Sequence, residues 1–420
     1  MEYRPRIVDA ELKAALRTSG AVQIKGPKWC GKTASAGQQA ASVVYMQDPD
    51  QAATNIEMAR IKPSLLLEGE TPRLIDEWQM APQLWDAVRF AVDQRGGAPG
   101  QFILTGSTVP GEETMHSGVG RIARLVMRPM TLSESGESNR AVSLAALASG
   151  AGIDAATSKT DVEELAHIVC RGGWPAAVVR MEGQASLRVA REYVAGLLDS
   201  DVTRIDGVNR NAGRMRALMR SYARNTGTQA SNSVIAADMA QADSALSPNT
   251  LADYLDALRR VFVLDDLEAW NPALRSKTAV RTSPTRHFVD PSIAAALLGA
   301  GPEALLGDME TFGFLFESMC VRDLRVYSQA YGAEVYHYRD KTGLEADAVV
   351  VWPDGRWGIV EVKLGQHRAD EAAANLLKLA ARVDQGKLGA PSFALVLTGG
   401  NLAYTREDGV HVVPIAALGP

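Results

Sequence analysis

Three groups of residues have the types and spacing that chemistry on phosphates requires. The first is Gly26-Pro27-Lys28-Trp29-Cys30-Gly31-Lys32-Thr33, which fits G-x-x-x-x-G-K-[ST] at every fixed position. In such a loop the glycines let backbone N–H groups turn inward onto phosphate oxygens, and the helix that follows adds positive potential at its first turn. Lys32 then reaches the β- and γ-phosphates of ATP, and the Thr33 hydroxyl binds Mg²⁺. All eight residues are expected to contact ATP. An accidental glycine-rich turn is the alternative, and an expected strand before the loop with a helix after it argues against that.

The second group lies downstream. Leu74-Ile75-Asp76-Glu77 ends an apolar run in two acids. One carboxylate can enter the Mg²⁺ shell and the other can act on the attacking water, so Asp76 takes the first role and Glu77 the second. Leu104-Thr105-Gly106-Ser107 ends another run, where Thr105 (or Ser107) can sense the γ-phosphate. In His116-Ser-Gly-Val-Gly-Arg121-Ile-Ala-Arg124, either Arg121 or Arg124 can neutralise transition-state charge, within the chain or from a neighbouring copy. Ordinary surface arginines are the bland alternative.

The third group is near the C-terminus. Asp347 opens one β-rich run, and Glu361-Val362-Lys363 closes the next. The period-2 alternation of a strand puts Glu361 and Lys363 on one face. If the runs pair through the Pro353-Asp354-Gly355 turn, Asp347 and Glu361 converge. Two carboxylates that hold Mg²⁺ or Mn²⁺, with a lysine that orients water, are what metal-dependent phosphodiester cleavage needs. Glu317, in an apolar helical stretch, can add a third acid. An exposed acidic–basic hairpin would carry the same residues without chemistry.

The elements that must position these residues can also be read. Strands are expected at 21–25, 43–46, 73–76 and 101–105, with helices at 33–41 and 81–94. That alternation predicts an α/β fold with a parallel sheet. From 129 to 199 the strands disappear and alanine-rich helices take over, at 141–148 and 189–198, broken by Gly172-Gly-Trp-Pro. Residues 200–270 stay largely helical. Arg204, Arg210, Arg214, Arg216, Arg220 and Arg224 crowd the first part, and Ser247-Pro-Asn-Thr opens a helix at 251–261. A strand is expected from Val261. The last 145 residues return to strands at 335–338, 347–352, 357–362 and 393–397, with a helix at 369–382. These shifts divide the chain at about 135, 200 and 275.

Composition limits the function classes. Among 420 residues, 44 Lys+Arg against 49 Asp+Glu give a net charge of −5, which excludes binding nucleic acid by bulk charge. Even the arginine-crowded stretch 201–290 has only 12 Lys+Arg against 10 Asp+Glu, a net of +2. Any DNA contact must come from a local surface. Cys30, Cys170 and Cys320 are too far apart in sequence to suggest a disulfide framework or a thiolate zinc site, which predicts a cytoplasmic protein. The first residues have no apolar core and do not read as a signal peptide, and no run approaches the ~18 apolar residues of a membrane span.

The third group resembles the PD-(D/E)XK nuclease superfamily, with its restriction-endonuclease-like fold: Asp347, then Glu361-Val-Lys363, with Glu317 on the preceding helix. Nearly the whole chain resembles a prokaryotic family of AAA-type ATPases with a C-terminal domain of unknown function. That resemblance is carried by GPKWCGKT, LIDEWQ, ILTGST, GRIARLVMRPMTLSESGES, GGWP, TLADYLDALRRVFVLDDLEAW, RHFVDPSI and EADAVVV…GIVEVK. It implies that the four stretches are an ATPase core (1–135), a helical lid (136–200), a winged-helix-like segment (201–275) and a nuclease-like domain of the restriction-endonuclease type (276–420). Two functions follow. One is an ATP-driven enzyme whose C-terminal cluster grips or cuts a nucleic-acid strand. The other is a nucleotide-switched regulator whose later domains only bind a protein or DNA partner, or a second copy of the chain.

Overall fold

A computed structural model of the chain describes residues 3–108, 117–201, 208, 210–241, 245–272, 283–383 and 388–420. His116 and Arg204, both singled out in the sequence, lie outside the described residues. The chain divides into two compact units. The first holds residues 1–129 with short returns at 201–209 and 256–263; the second holds 130–200, 210–255 and 264–420. The division at Pro129 lies six residues before the expected limit of the ATPase core. The expected lid, most of the winged-helix-like stretch and the C-terminal stretch share the second unit.

In the first unit, β1 (Ala21–Lys25), β2 (Ser42–Tyr45), β3 (Arg73–Asp76), β4 (Phe102–Gly106) and β5 (Ile122–Val126) form one sheet in the order β2-β3-β4-β1-β5. Every pairing is parallel. Helices α1 (Ile7–Leu16), α2 (Lys32–Gly37), α3 (Ala52–Ile61) and α4 (Gln83–Gln94) accompany it. A parallel sheet is covered on both faces, so its strands must be apolar on both. Val22, Ile24, Leu74 and Ile103 pack with Val8, Leu12 and Leu16 of α1. Their strand neighbours Ala21, Ile75, Phe102 and Leu104 turn the other way, onto Trp78, Leu84, Trp85 and Val88. The expected strands are all present. The strand β5 was not anticipated, because Arg124 interrupts its apolar run, as an edge strand permits. The helix after the glycine-rich loop ends at Gly37, short of the expected residue 41.

The second unit carries β6 (Val142–Ser143), β7 (Ala156–Thr157), β8 (Glu334–Arg339), β9 (Glu345–Val351), β10 (Trp357–Lys363), β11 (Phe393–Thr398), β12 (Leu402–Thr405), β13 (His411–Pro414) and β14 (Leu418–Gly419). Seven of them form a mixed sheet in the order β7-β12-β13-β11-β10-β9-β8, and β14 pairs with β6. The short strands β6 and β7 fall in a stretch expected to be wholly helical. The run β8-β9-β10 is an antiparallel meander, and β10 pairs with β11 in parallel. A parallel pair needs a crossover, and the helix Ala369–Arg382 supplies it. The turn Pro353-Asp354-Gly355 joins β9 to β10 as expected, with Gly355 at φ 87°.

A 21-residue helix, Met309–Gln329, precedes β8 and is buried over most of its surface. Its Arg322 bonds Asp290 and Asp323 at 2.8 and 2.7 Å. Asp323 in turn accepts the Leu132 N–H at 2.9 Å. Asp290 accepts the Gly173 N–H at 2.9 Å, and Trp174 Nε1 donates to Ser292 Oγ at 2.9 Å. The sequence blocks around 130, 173, 290 and 322 are thus one buried polar knot, which satisfies its charges internally. No strand starts at Val261. Phe262 adopts φ 58° in a turn, and isolated bridges then join Leu264 to Phe288 and Leu267 to Thr285. Among the described residues, no helix is long and apolar enough to cross a membrane.

Candidate functional site

All five strands of the first sheet point the same way, so the loops leaving their C-terminal ends share one edge. That edge is where open α/β sheets bind ligands. The 26–31 loop leaves β1 there, Glu77 follows β3, and Ser107 follows β4. Gly31 takes φ 103° as it enters α2, a conformation that disfavours any residue with a Cβ. Gly26 is needed for another reason: a Cβ there would sit 2.1 Å from the Met127 carbonyl oxygen. Trp29 has φ 65° and is half exposed, and Lys28 beside it is exposed.

Lys32 is buried, and its Nζ donates to the carbonyls of Gly26 and Pro27 at 2.9 and 2.7 Å. The ammonium therefore sits inside the curl of the loop. The Thr33 hydroxyl donates to Asp76 Oδ1 at 2.6 Å, and the Thr105 hydroxyl donates to the same oxygen at 2.6 Å. The other oxygen, Asp76 Oδ2, is buried and has no hydrogen-bond partner among the described residues. A buried carboxylate oxygen without a donor is costly unless a cation or water meets it. Mg²⁺ is usually held by one or two carboxylates plus phosphate oxygens, and Thr33 with Asp76 fits that donor set.

Glu77 takes φ 55°, an uncommon conformation for a residue with a side chain. Its Oε2 accepts from Ser107 Oγ at 3.0 Å and from Gln79 Nε2. The sequence reading passed over Gln79. Its only signal is its place two residues beyond the acidic pair.

The structure does not bring the two arginines into this cluster. The strand β5 is parallel to β1, with Ala21 beside Ile122 and Lys25 beside Val126. Arg121 therefore precedes β5 at the far end of the sheet, about 15 Å of strand away from the loop. Its Nε donates to Asp93 Oδ1 at 2.9 Å. Arg124 lies 5.5 Å from the Trp85 ring centre and donates to the Ser117 carbonyl at 2.8 Å.

In the second unit, Glu317, Asp347 and Lys363 line one pocket of about 320 Å³, together with Thr228, Gln229 and His337. Lys363 Nζ bonds Glu361 Oε1 at 2.8 Å, and Asp347 Oδ2 accepts the Val362 N–H at 2.7 Å. Asn375, which the sequence reading missed, donates to Glu361 Oε2 at 3.3 Å. Burial and the charge of Asp347 raise the carboxyls of Glu317 and Glu361 above their ordinary range. Burial also raises Asp347, against the pull of Lys363 and the Val362 N–H. Burial works to lower the Lys363 ammonium, but Asp347 and Glu361 more than offset it. The four residues named from sequence do converge. Among the described residues, however, no three His, Cys, Asp or Glu side chains are arranged to hold a metal ion.

Residues 18–136 match the model of a family described as an AAA domain. The N-terminal domain is a P-loop domain of the AAA type. Residues 162–304 and 312–418 match two domains of unknown function, DUF8612 and DUF4143. No curated protein matches the chain in sequence. Among solved structures, it is similar to the Walker-type ATPase PABY2304 of Pyrococcus abyssi, with 14% identity, 71% of this chain and 99% of that one covered, and a TM-score of 0.44. It is also similar to a RuvB variant of Thermotoga maritima, with 17% identity, 62% and 88% covered, and a TM-score of 0.27. Drosophila ORC bound to DNA follows, with 13% identity, 69% and 84% covered, and a TM-score of 0.17. The AAA assignment rests on the family match and on the residues of the phosphate loop.

Proposed function

We propose that the AAA domain binds ATP with Mg²⁺ and hydrolyses it. The observation that carries this is the Asp76 carboxylate: one oxygen gathers the Thr33 and Thr105 hydroxyls, and the other is buried without a donor among the described residues. Thr33 and Asp76 would hold the Mg²⁺. When bound, that ion neutralises charge on the β- and γ-phosphates. Residues 26–33 wrap the triphosphate with backbone N–H groups, and Lys32 exchanges its two loop carbonyls for phosphate oxygens. Glu77, held by Ser107 and Gln79, orients and deprotonates the attacking water, and Thr105 senses the γ-phosphate. An arginine finger from Arg121 or Arg124 would have to come from a neighbouring copy. The test is Mg²⁺-dependent phosphate release by the full chain. Lys32→Ala should abolish tight ATP binding, and retention of wild-type affinity would contradict the assignment.

A second reading concerns residues 312–418. The order helix, β8, β9, β10, helix, β11, with an antiparallel meander followed by a parallel pair, supports the restriction-endonuclease-like fold. The convergence of Glu317, Asp347 and Lys363 on one pocket, with Glu361 bonded to Lys363 behind it, supports a site for a divalent ion and a phosphodiester. Cleavage of plasmid with Mg²⁺ or Mn²⁺, lost in Lys363→Ala, is the expected result. Binding of DNA without cleavage would favour the regulator, in which ATP state gates a partner. The helices Ala212–Arg224, Asn232–Gln241 and Pro248–Arg260, followed by the bridged pair Leu264 and Phe288, support a winged helix in that role.

A further inference from the structure

Arg6 is buried at the start of α1, with 7% of its surface exposed. Its Nη1 donates to the Cys30 carbonyl at 2.8 Å and its Nη2 to the Arg128 carbonyl at 2.8 Å. Cys30 is the residue before Gly31 in the phosphate loop. In a trans peptide the C=O of one residue and the N–H of the next point in opposite directions. A Cys30 carbonyl held back on Arg6 therefore aims the Gly31 N–H into the curl of the loop, where phosphate oxygens would lie. We propose that Arg6 is a positioning residue of the ATP site, fixing the back of the phosphate loop and placing a buried positive charge behind the triphosphate.

Four further contacts make this a built arrangement. The Cys30 Sγ lies 3.5 Å from the Met127 carbonyl, which is also the atom that excludes a Cβ at Gly26. The Arg6 N–H donates to Asp9 Oδ2 at 2.7 Å. Asp9 also accepts from the Tyr3 hydroxyl at 2.8 Å, and that hydroxyl lies 2.7 Å from Ser35 Oγ in α2. Residues 3–9 thus bind both the loop and the helix that it enters. The planar fork of a guanidinium can span two carbonyls, whereas an ammonium is a point charge without that geometry. A buried cation also acts on a nearby anion through a lower effective dielectric than surface lysines do.

The inference rests on the ATP reading, and the test separates the two. Full-length wild type, Arg6→Lys and Arg6→Met are titrated with Mg·ATP by calorimetry, and their hydrolysis is followed at steady state. Arg6→Met should weaken Kd and raise KM at least tenfold, with kcat within threefold of wild type and an unchanged binding stoichiometry. Arg6→Lys keeps the charge and loses the fork, so its Kd should fall between the two. A methionine variant that binds within twofold of wild type overturns the proposal. If that variant fails to fold, a lysine variant with wild-type Kd overturns it, as does one that loses kcat with KM unchanged. A wild type that binds no ATP contradicts the ATP reading itself, and this inference with it.

Discussion

The Thr33 hydroxyl is hydrogen-bonded to Asp76 Oδ1 at 2.6 Å, which ties the first turn of α2 to the end of β3. Two elements 43 residues apart would therefore hold the proposed Mg²⁺ donor set in register. Asp76→Asn should raise the Mg²⁺ concentration for half-maximal hydrolysis at least tenfold, because an amide is a much weaker ligand than a carboxylate. Hydrolysis measured against Mg²⁺ at fixed ATP checks this.

Much of this cluster was legible in the sequence because its chemistry is local. The eight residues 26–33 carry their geometry in their own spacing, and Asp76 and Glu77 end an apolar run whose parallel neighbours are also apolar. What was not legible depends on pairing between distant segments. The reach of Arg121 could not be judged without the register of β5 against β1, and that register puts it at the wrong end of the sheet. Arg6 gave no signal, since its partners are backbone carbonyls 24 and 122 residues away. At the C-terminal end, alternation put Glu361 and Lys363 on one face, but only the pairing of β9 with β10 brings Asp347 to Val362.

The contact between Gly26 and the Met127 carbonyl leaves no room for a side chain. Gly26→Ala should destabilise the first unit by about 1–3 kcal/mol, the usual cost of overpacking. Thermal unfolding with and without Mg·ATP would show a lowered Tm and a smaller shift on adding the nucleotide.

Arg121 is engaged with Asp93 at the end of the sheet away from the phosphate loop. Arg121→Ala should therefore leave the Kd for ATP within twofold of wild type. An effect confined to turnover, growing with protein concentration, would identify a finger acting between copies. Loss of ATP affinity at low concentration would contradict the placement.

The Glu317 carboxyl is raised well above its ordinary value by burial, with Asp347 adding to the effect. The folded state then holds its proton more tightly than the unfolded chain, so stability is lost as pH rises from the ordinary carboxyl value toward the raised one. Glu317→Gln has no proton to lose. Its Tm relative to wild type should be higher at pH 8 than at pH 5, as calorimetry at the two pH values would show. An equal difference at both would contradict the raised carboxyl.

The most direct measurement of ATP hydrolysis at this site uses Glu77→Gln in the full chain. Glu77 follows β3, outside residues 26–33, and is held by Ser107 and Gln79, so its removal should spare binding and stop the water. Mg·ATP should bind with a Kd within about threefold of wild type, while kcat falls at least ~100-fold, as loss of a general base does. Hydrolysis by Glu77→Gln at the wild-type rate would contradict the account.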